Sequence, residues 1–184
     1  SGQMLTEDYY VANKLMKGFI GAANIDTNSR LCMASTVAGH RRAFGTDTVP
    51  GAYEDIEEAD LVVLVGSNLA WCHPVLHQRV LAAKKARGTR IVVIDPRRTA
   101  SCDGADMHLA LTPGADVALF NRLFATLYEG GAIDKAFIAR TQGFDDTLRS
   151  ALNDGLAPTG LDAAEVEAFC RLWMRTERVV TIFS

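Results

Sequence analysis

Two short runs of consecutive apolar residues mark the centre of the sequence, LVVLV at 61–65 and RIVVI at 90–94. Such β-branched runs, bounded by polar or glycine residues, are typical of strands buried on both faces of a parallel sheet. The segment HPVLHQRVLAAKKARG between them predicts a helix, because Pro74 suits a first-turn position and Gly88 suits a position just past the helix end. This order predicts a right-handed βαβ unit with parallel strands.

The segment before this unit predicts two helices. Four apolar residues recur at helical spacing between Thr6 and Ile20: Tyr9, Ala12, Met16 and Phe19. After the turn-rich stretch GAANIDTNS, the segment LCMASTVAGHRRAF predicts a helix that opens near Arg30 and has Cys32 in its first turn.

The segment after the βαβ unit predicts further strands and helices. ADMHLAL suggests a third strand, and an apolar stripe that begins at Val117 predicts a helix that ends at Gly130. Short helices are expected around AIDKAFIAR and FDDTLRSAL. Asp162 and Glu165 resemble a capping pair at the start of another helix, and RVVTIFS is predicted to be a strand.

The alternation predicts a three-layer, Rossmann-like, doubly wound α/β fold with a mainly parallel sheet flanked by helices. We interpret residues 1–184 as a single domain. Within it, 1–45 precedes a nucleotide-binding βαβ core at 46–130, and 131–184 forms a helical extension with the final strand. Because the sequence begins abruptly and stops at a strand, we expect it to be a fragment of a larger enzyme.

Composition and charge exclude several classes of function. The chain has 184 residues, 48% of them hydrophobic, which is enough for a buried core. A formal net charge of −3 with mixed signs offers no basic stripe for phosphates, so we expect no nucleic-acid partner. No apolar run approaches the roughly 20 residues that cross a bilayer, so we expect no membrane partner.

The four cysteines are widely separated in the sequence: Cys32, Cys72, Cys102 and Cys170. None belongs to a CxxC pair or to a cysteine ladder that would hold zinc or an iron–sulfur cluster. Isolated cysteines are usually small buried hydrophobic residues, and we expect these to be reduced and independent.

Three loops carry the candidate chemistry, because ligands of open parallel sheets bind at the carboxyl ends of the strands. The loop GSNLAWCHP offers backbone donors and the side chains of Ser67 and Asn68 before a helix N-terminus, where a pyrophosphate could bind. It contains Gly66 but not the GxGxxG pattern, which disfavours a nicotinamide dinucleotide.

The two other loops are DPRRT and TPGAD. Asp95 could accept hydrogen bonds from ribose hydroxyls, and Arg97 and Arg98 could pair with phosphates. For this loop taken alone, a solvated turn with a surface ion pair is as good an interpretation as nucleotide binding. Asp116 could cap the following helix or receive two N–H groups from a guanine edge. In a parallel sheet all three loops would lie at one edge, where a single nucleotide could contact them.

These segments together resemble the molybdopterin oxidoreductase family, which includes nitrate reductases and formate dehydrogenases. The matching stretches are NIDTNSRLCMAS, YEDIEEADLVVLVGSNLAWCHPVL, VVIDPRRT and LTPGADVAL. They occur in the family's order and cover most of residues 1–120, whereas 131–184 match only in general character.

The resemblance implies roles for particular residues. Cys32 would ligate molybdenum and is the candidate catalytic residue, since a soft thiolate suits this metal. Gln3 and Asn28 would approach the pterin. The guanine dinucleotide arm would be held by residues of the three loops: Gly66, Ser67, Asn68, Asp95, Arg97, Arg98, Gly114 and Asp116.

The implied activity is the reduction of nitrate to nitrite by a cytoplasmic enzyme with a molybdenum bis(molybdopterin guanine dinucleotide) cofactor. Methionine after the metal-binding cysteine, here Met33, is similar to nitrate reductases, whereas formate dehydrogenases have histidine there. The alternatives are a formate dehydrogenase or related enzyme, and a non-catalytic nucleotide-binding module.

The resemblance also implies partners outside this sequence. The family's enzymes of this kind carry a [4Fe–4S] cluster in a preceding cysteine-rich segment, and no residues here could bind one. We therefore expect the remaining domains of the parent enzyme and an electron-donor protein or subunit to complete the activity. The chain alone is expected to be inactive.

Overall fold

A computed structural model of the chain describes residues 4–26, 33–154 and 158–183. Two compact units are present, Ser1–Gly51 and Ala52–Ser184. Three of the predicted site residues, Gln3, Asn28 and Cys32, lie outside the described residues.

The regular secondary structure described in the first unit is helical. Helix α1 spans Thr6–Asn13 and continues as a π-helical segment, Lys14–Ile20, which ends at Gly21. Helix α2 spans Ala34–Phe44, and the predicted start near Arg30 lies outside the described residues. Met33 is its N-cap, with φ −113° and ψ 0°.

The π-helical segment changes which side chains share a face. Tyr9, Ala12 and Met16 are half-buried as the helical spacing predicts, but Phe19 is exposed. A π-helix contains more residues per turn than an α-helix. Phe19, near the end of this segment, is therefore rotated away from the predicted stripe.

The second unit contains a four-stranded sheet in which every strand is parallel to its neighbours. The strands are β1 Leu61–Val65, β2 Arg90–Ile94, β3 Met107–Leu109 and β4 Val179–Phe183. Their order is β3-β2-β1-β4. The chain thus moves outward from β1 to β3 and then returns to the other side of β1, so the strand order reverses between β1 and β4.

Seven helices accompany the sheet in the described part of this unit. They are α3 Tyr53–Glu58, α4 Leu69–Cys72, α5 Pro74–Arg87, α6 Asp116–Glu129, α7 Lys135–Ile138, α8 Phe144–Asp154 and α9 Ala163–Met174. A single 3₁₀ turn spans Ala100–Cys102. The predicted α/β fold with a parallel sheet and flanking helices is confirmed, and helices α3 and α4 are additions that the hydrophobic pattern did not predict.

Both faces of the sheet are buried. On one face Leu61 and Val63 of β1 pack in a cluster with Leu119 of α6 and Phe169 of α9. On the other face the alternate β1 residues pack in a second cluster that includes Val80 of α5. Each such side chain contributes about 1.5–3 kcal/mol by leaving water, so these two clusters hold the strands in place.

The start of β4 is tied to the start of β1 by a surface ion pair. Arg178 donates from Nε and Nη2 to the two carboxylate oxygens of Asp60, each at 2.9 Å. These hydrogen bonds hold the pKa of Asp60 below its ordinary value. The pairing aligns β4 with β1 at the edge opposite the loops of interest.

A close approach between two loops fixes the turn that precedes α6. The N–H of Thr112 donates to the carbonyl of Thr159 at 2.8 Å. Gly160 has φ +78°, and a Cβ added there would clash with Oγ1 of Thr112 and lie 3.2 Å from its backbone nitrogen. Only glycine fits both the left-handed backbone and the space.

We therefore expect Gly160→Ala to destabilise the protein more than Gly143→Ala. Gly143 has a similar φ of +75° but no atom within 4 Å of an added Cβ. The control should lose about 1–2 kcal/mol from the left-handed backbone, and Gly160→Ala should lose about 1–3 kcal/mol more from the clash. Urea unfolding of both variants measures the difference, and equal losses would contradict the assigned contact.

Candidate functional site

The carboxyl ends of the four strands lie level with one another. Val65 is in register with Ile94 on one side and with Phe183 on the other, and Ile94 is in register with Leu109. Neighbouring strands are about 4.8 Å apart, so the turns after β1, β2 and β3 begin within about 10 Å of one another. The structure thus brings the three predicted loops to one edge.

Backbone hydrogen bonds extend the sheet into these turns. The N–H of Gly66 donates to the carbonyl of Ile94 at 2.8 Å, and the N–H of Asp95 donates to the carbonyl of Leu109 at 3.2 Å. The first residues of the turns after β1 and β2 are therefore held by the neighbouring strand. Gly66 has φ +59°, which glycine adopts without strain.

The turn after β1 is organised by polar side chains. Ser67 is buried and Asn68 is half-buried. Ser101 donates from Oγ to Oδ1 of Asn68 at 3.2 Å and accepts from the N–H of Ala70 at 3.0 Å. Because helix α4 follows directly, the predicted helix N-terminus at α5 is separated from this turn by one short helix.

Asp95, the first residue of the turn after β2, is buried and hydrogen-bonded. It is 3% exposed, and its Oδ1 accepts from the N–H of Arg97 at 2.8 Å. Nε2 of His108 lies 2.9 Å from the carbonyl oxygen of Asp95, which can only accept, so Nε2 carries the proton. No described residue donates to Oδ2 of Asp95.

The two arginines of this turn extend outward. The side chains of Arg97 and Arg98 are 77% and 66% exposed. Nε of Arg97 lies 3.8 Å from Oδ1 of Asp95, and Nη2 of Arg98 lies 4.0 Å from Oδ1 of Asp103. These distances are too long for hydrogen bonds, so both guanidinium groups keep donors for a further anion.

The turn before α6 presents a carboxylate without a capping role. The N-cap of α6 is Ala115, and Asp116 is the first helical residue. In the described part of the chain, no donor contacts the Asp116 carboxylate. Asp116 therefore does not cap the N-terminus of α6 through a side-chain hydrogen bond in this structure.

A groove of about 390 Å³ opens where the strand order reverses. It is lined by residues from the ends of β1 and β4 and the start of α6: Val65, Gly66, Asp116, Phe120, Thr181 and Phe183. Crevices at such reversal points are the usual ligand sites of open α/β sheets. Phe120, Thr181 and Phe183 were missed by the sequence prediction, since the alternation of elements did not indicate that β4 lies beside β1.

The remaining cysteines and histidines do not form a metal centre. Across residues 4–26, 33–154 and 158–183, no group of three or more His, Cys, Asp or Glu side chains could hold an ion. Cys102 and Cys170 are buried as predicted, whereas Cys72 is exposed. Burial lowers the pKa of His77 on α5.

Among the described helices, none is long and apolar enough to span a membrane.

Comparison with known proteins identifies the family. The molybdopterin oxidoreductase profile matches residues 1–161. The chain belongs to this family. The family predicted from the four sequence motifs is thereby confirmed.

Two proteins named nitrate reductase match almost the whole chain. A nitrate reductase of Klebsiella oxytoca is 53% identical over 100% of the chain and 21% of its own length. A nitrate reductase of Shewanella frigidimarina is 50% identical over 98% of the chain and 20% of its own length. The chain thus spans about one fifth of the length of these relatives.

A solved structure has a similar fold. Acetylene hydratase from Pelobacter acetylenicus matches with a TM-score of 0.73 at 25% sequence identity. The match covers 90% of this chain and 23% of that one. The architecture is therefore that of part of a molybdopterin oxidoreductase.

Proposed function

We propose that the carboxyl edge of the sheet binds the guanine dinucleotide arm of a molybdenum bis(molybdopterin guanine dinucleotide) cofactor, in a protein that reduces nitrate to nitrite. One observation carries the proposal. Three turns whose side chains are suited to bind a nucleotide begin level with one another, beside a groove that Asp116 lines.

The residues at this edge fit the chemistry of a guanosine diphosphate group. Guanine presents adjacent N–H donors, and the Asp116 carboxylate has two acceptor oxygens without a described donor. The ribose hydroxyls need an acceptor, which Oδ2 of Asp95 supplies. The phosphates need cations or donors, and Arg97 and Arg98 offer exposed guanidinium groups.

The walls of the groove also suit a purine. Phe120 and Phe183 contribute aromatic surface, and Val65 contributes an aliphatic side chain. Planar bases stack well on such surfaces. Gly66 carries no side chain, which leaves space for a ligand beside the end of β1.

The catalytic part of the proposal rests on the family. Cys32 would bind the metal through its thiolate, and Gln3 and Asn28 would contact the pterin. When bound, the cofactor would supply the two-electron redox chemistry that the reduction of nitrate requires. This chain's contribution is to bind and orient the cofactor.

The family resemblance also supports proposals about the other domains, the electron donor, the location and the substrate. The remaining domains would carry a [4Fe–4S] cluster, and an electron-donor protein or subunit would reduce it. We propose a cytoplasmic location, because the loop GSNLAWCHPVL resembles that of assimilatory enzymes. Nitrate is favoured as the substrate because both relatives described above carry the name nitrate reductase at 50% identity or more.

Guanine recognition by Asp116 gives the first test. The cofactor-free full-length protein should bind GDP at least about tenfold more tightly than ADP, because adenine lacks the adjacent N–H donors that a carboxylate accepts. Asp116→Asn should remove most of this preference, since an amide presents only one acceptor oxygen. Isothermal titration calorimetry measures both affinities.

The matched control is Glu129→Gln, which removes one negative charge at the other end of α6. It should retain the preference for GDP. Equal affinity of the wild-type protein for GDP and ADP would refute guanine recognition at this edge.

Metal binding by Cys32 gives the second test. In the full-length protein, Cys32→Ala should abolish nitrate reduction and lower the molybdenum content, because the thiolate ligand is lost. Cys170→Ala, which removes a buried thiol from α9, should retain both. Metal analysis together with nitrate and formate assays measures the outcome.

Two results would contradict this part of the proposal. Undiminished activity in Cys32→Ala would remove the metal-ligand role. Turnover of formate in place of nitrate by the wild-type protein would assign the substrate to the alternative class.

A further inference from the structure

The turn after β2 is joined to the turn after β1 by one buried hydroxyl. Ser101 lies in the 3₁₀ turn Ala100–Cys102 and is 1% exposed. Its Oγ accepts from the N–H of Ala70 at 3.0 Å and lies 3.2 Å from Oδ1 of Asn68. No sequence motif pointed to this residue.

The buried position of Ser101 determines the orientation of the Asn68 amide. The Ser101 proton needs an acceptor, because an unsatisfied buried donor is costly. Within the described ranges, Oδ1 of Asn68 is the acceptor that Ser101 reaches. The amide therefore directs Oδ1 towards Ser101, and its Nδ2 group has no described acceptor.

We propose that Ser101 is a positioning residue that directs the Nδ2 donor of Asn68 towards a phosphoryl oxygen of the bound nucleotide. This inference rests on the proposed function and deepens it. The class of ligand follows from polarity, because Nδ2 can only donate and phosphoryl oxygens can only accept. The same turn that carries Ser101 begins with the exposed cations Arg97 and Arg98, which favour an anion at this place.

Two substitutions separate positioning from a purely structural role. Ser101→Ala removes the bond that fixes the amide. Asn68→Asp keeps an acceptor for Ser101 but replaces the Nδ2 donor with a negatively charged oxygen, which repels phosphate.

The experiment is calorimetric titration of the cofactor-free full-length protein with GDP and with guanosine. Ser101→Ala should weaken GDP binding about tenfold and leave guanosine binding unchanged, because guanosine has no phosphate. Asn68→Asp should weaken GDP binding by at least the same factor. In an Asn68→Ala background, Ser101→Ala should cause no further loss, since the positioned group is absent.

The matched control is Thr89→Val. Thr89 is also 1% exposed, and its Oγ1 donates to the carbonyl of Ala59 at 2.8 Å, at the amino end of the sheet. This variant loses a comparable buried hydrogen bond and should bind GDP and guanosine as the wild-type protein does.

Each other outcome overturns the proposal in a distinguishable way. Unchanged GDP binding in Ser101→Ala, or an equal loss for GDP and guanosine, refutes positioning while the nucleotide site stands. Absence of GDP binding by the wild-type protein refutes the proposed function and this inference together. If Ser101→Ala does not fold, the Asn68→Asp variant decides, and full GDP affinity in that variant refutes the proposal.

Discussion

Burial of both faces of the parallel sheet is the constraint on which the rest of this structure depends. Leu61 and Val63 pack towards α6 and α9, and the alternate residues of β1 pack towards α5. A shift of one residue would exchange these two sets of side chains and expose apolar surface. The strands are thus held in one register, and their carboxyl ends form a level edge from which the polar turns begin.

The elements that the sequence predicted well are those specified by local patterns. Strand β1 was predicted at 61–65 because an uninterrupted apolar run has one stable place, the interior of a parallel sheet. Helix α5 begins at Pro74 and is followed by Gly88, as the chemistry of helix ends predicts. The family could also be predicted, because its motifs are contiguous segments and two of them include Asp95 and Asp116.

The features that the sequence did not predict depend on contacts between distant segments. The position of β4 beside β1 follows from a long connection through α6 to α9, and it places Thr181 at the groove. His108 and Ser101 belong to no motif, yet they fix the turns through single hydrogen bonds to Asp95 and Asn68. These bonds stabilise turns that contain few glycines, in place of the glycine-rich turn of a nicotinamide dinucleotide site.

If one nucleotide contacts all three turns at the carboxyl edge, its binding must protect all three from solvent. Amide hydrogen exchange of the cofactor-free full-length protein, with and without GDP, tests it most directly. We expect GDP to slow exchange together in residues 66–70, 95–99 and 112–116. Protection of only one of these segments, or protection confined to the opposite edge of the sheet, would contradict it.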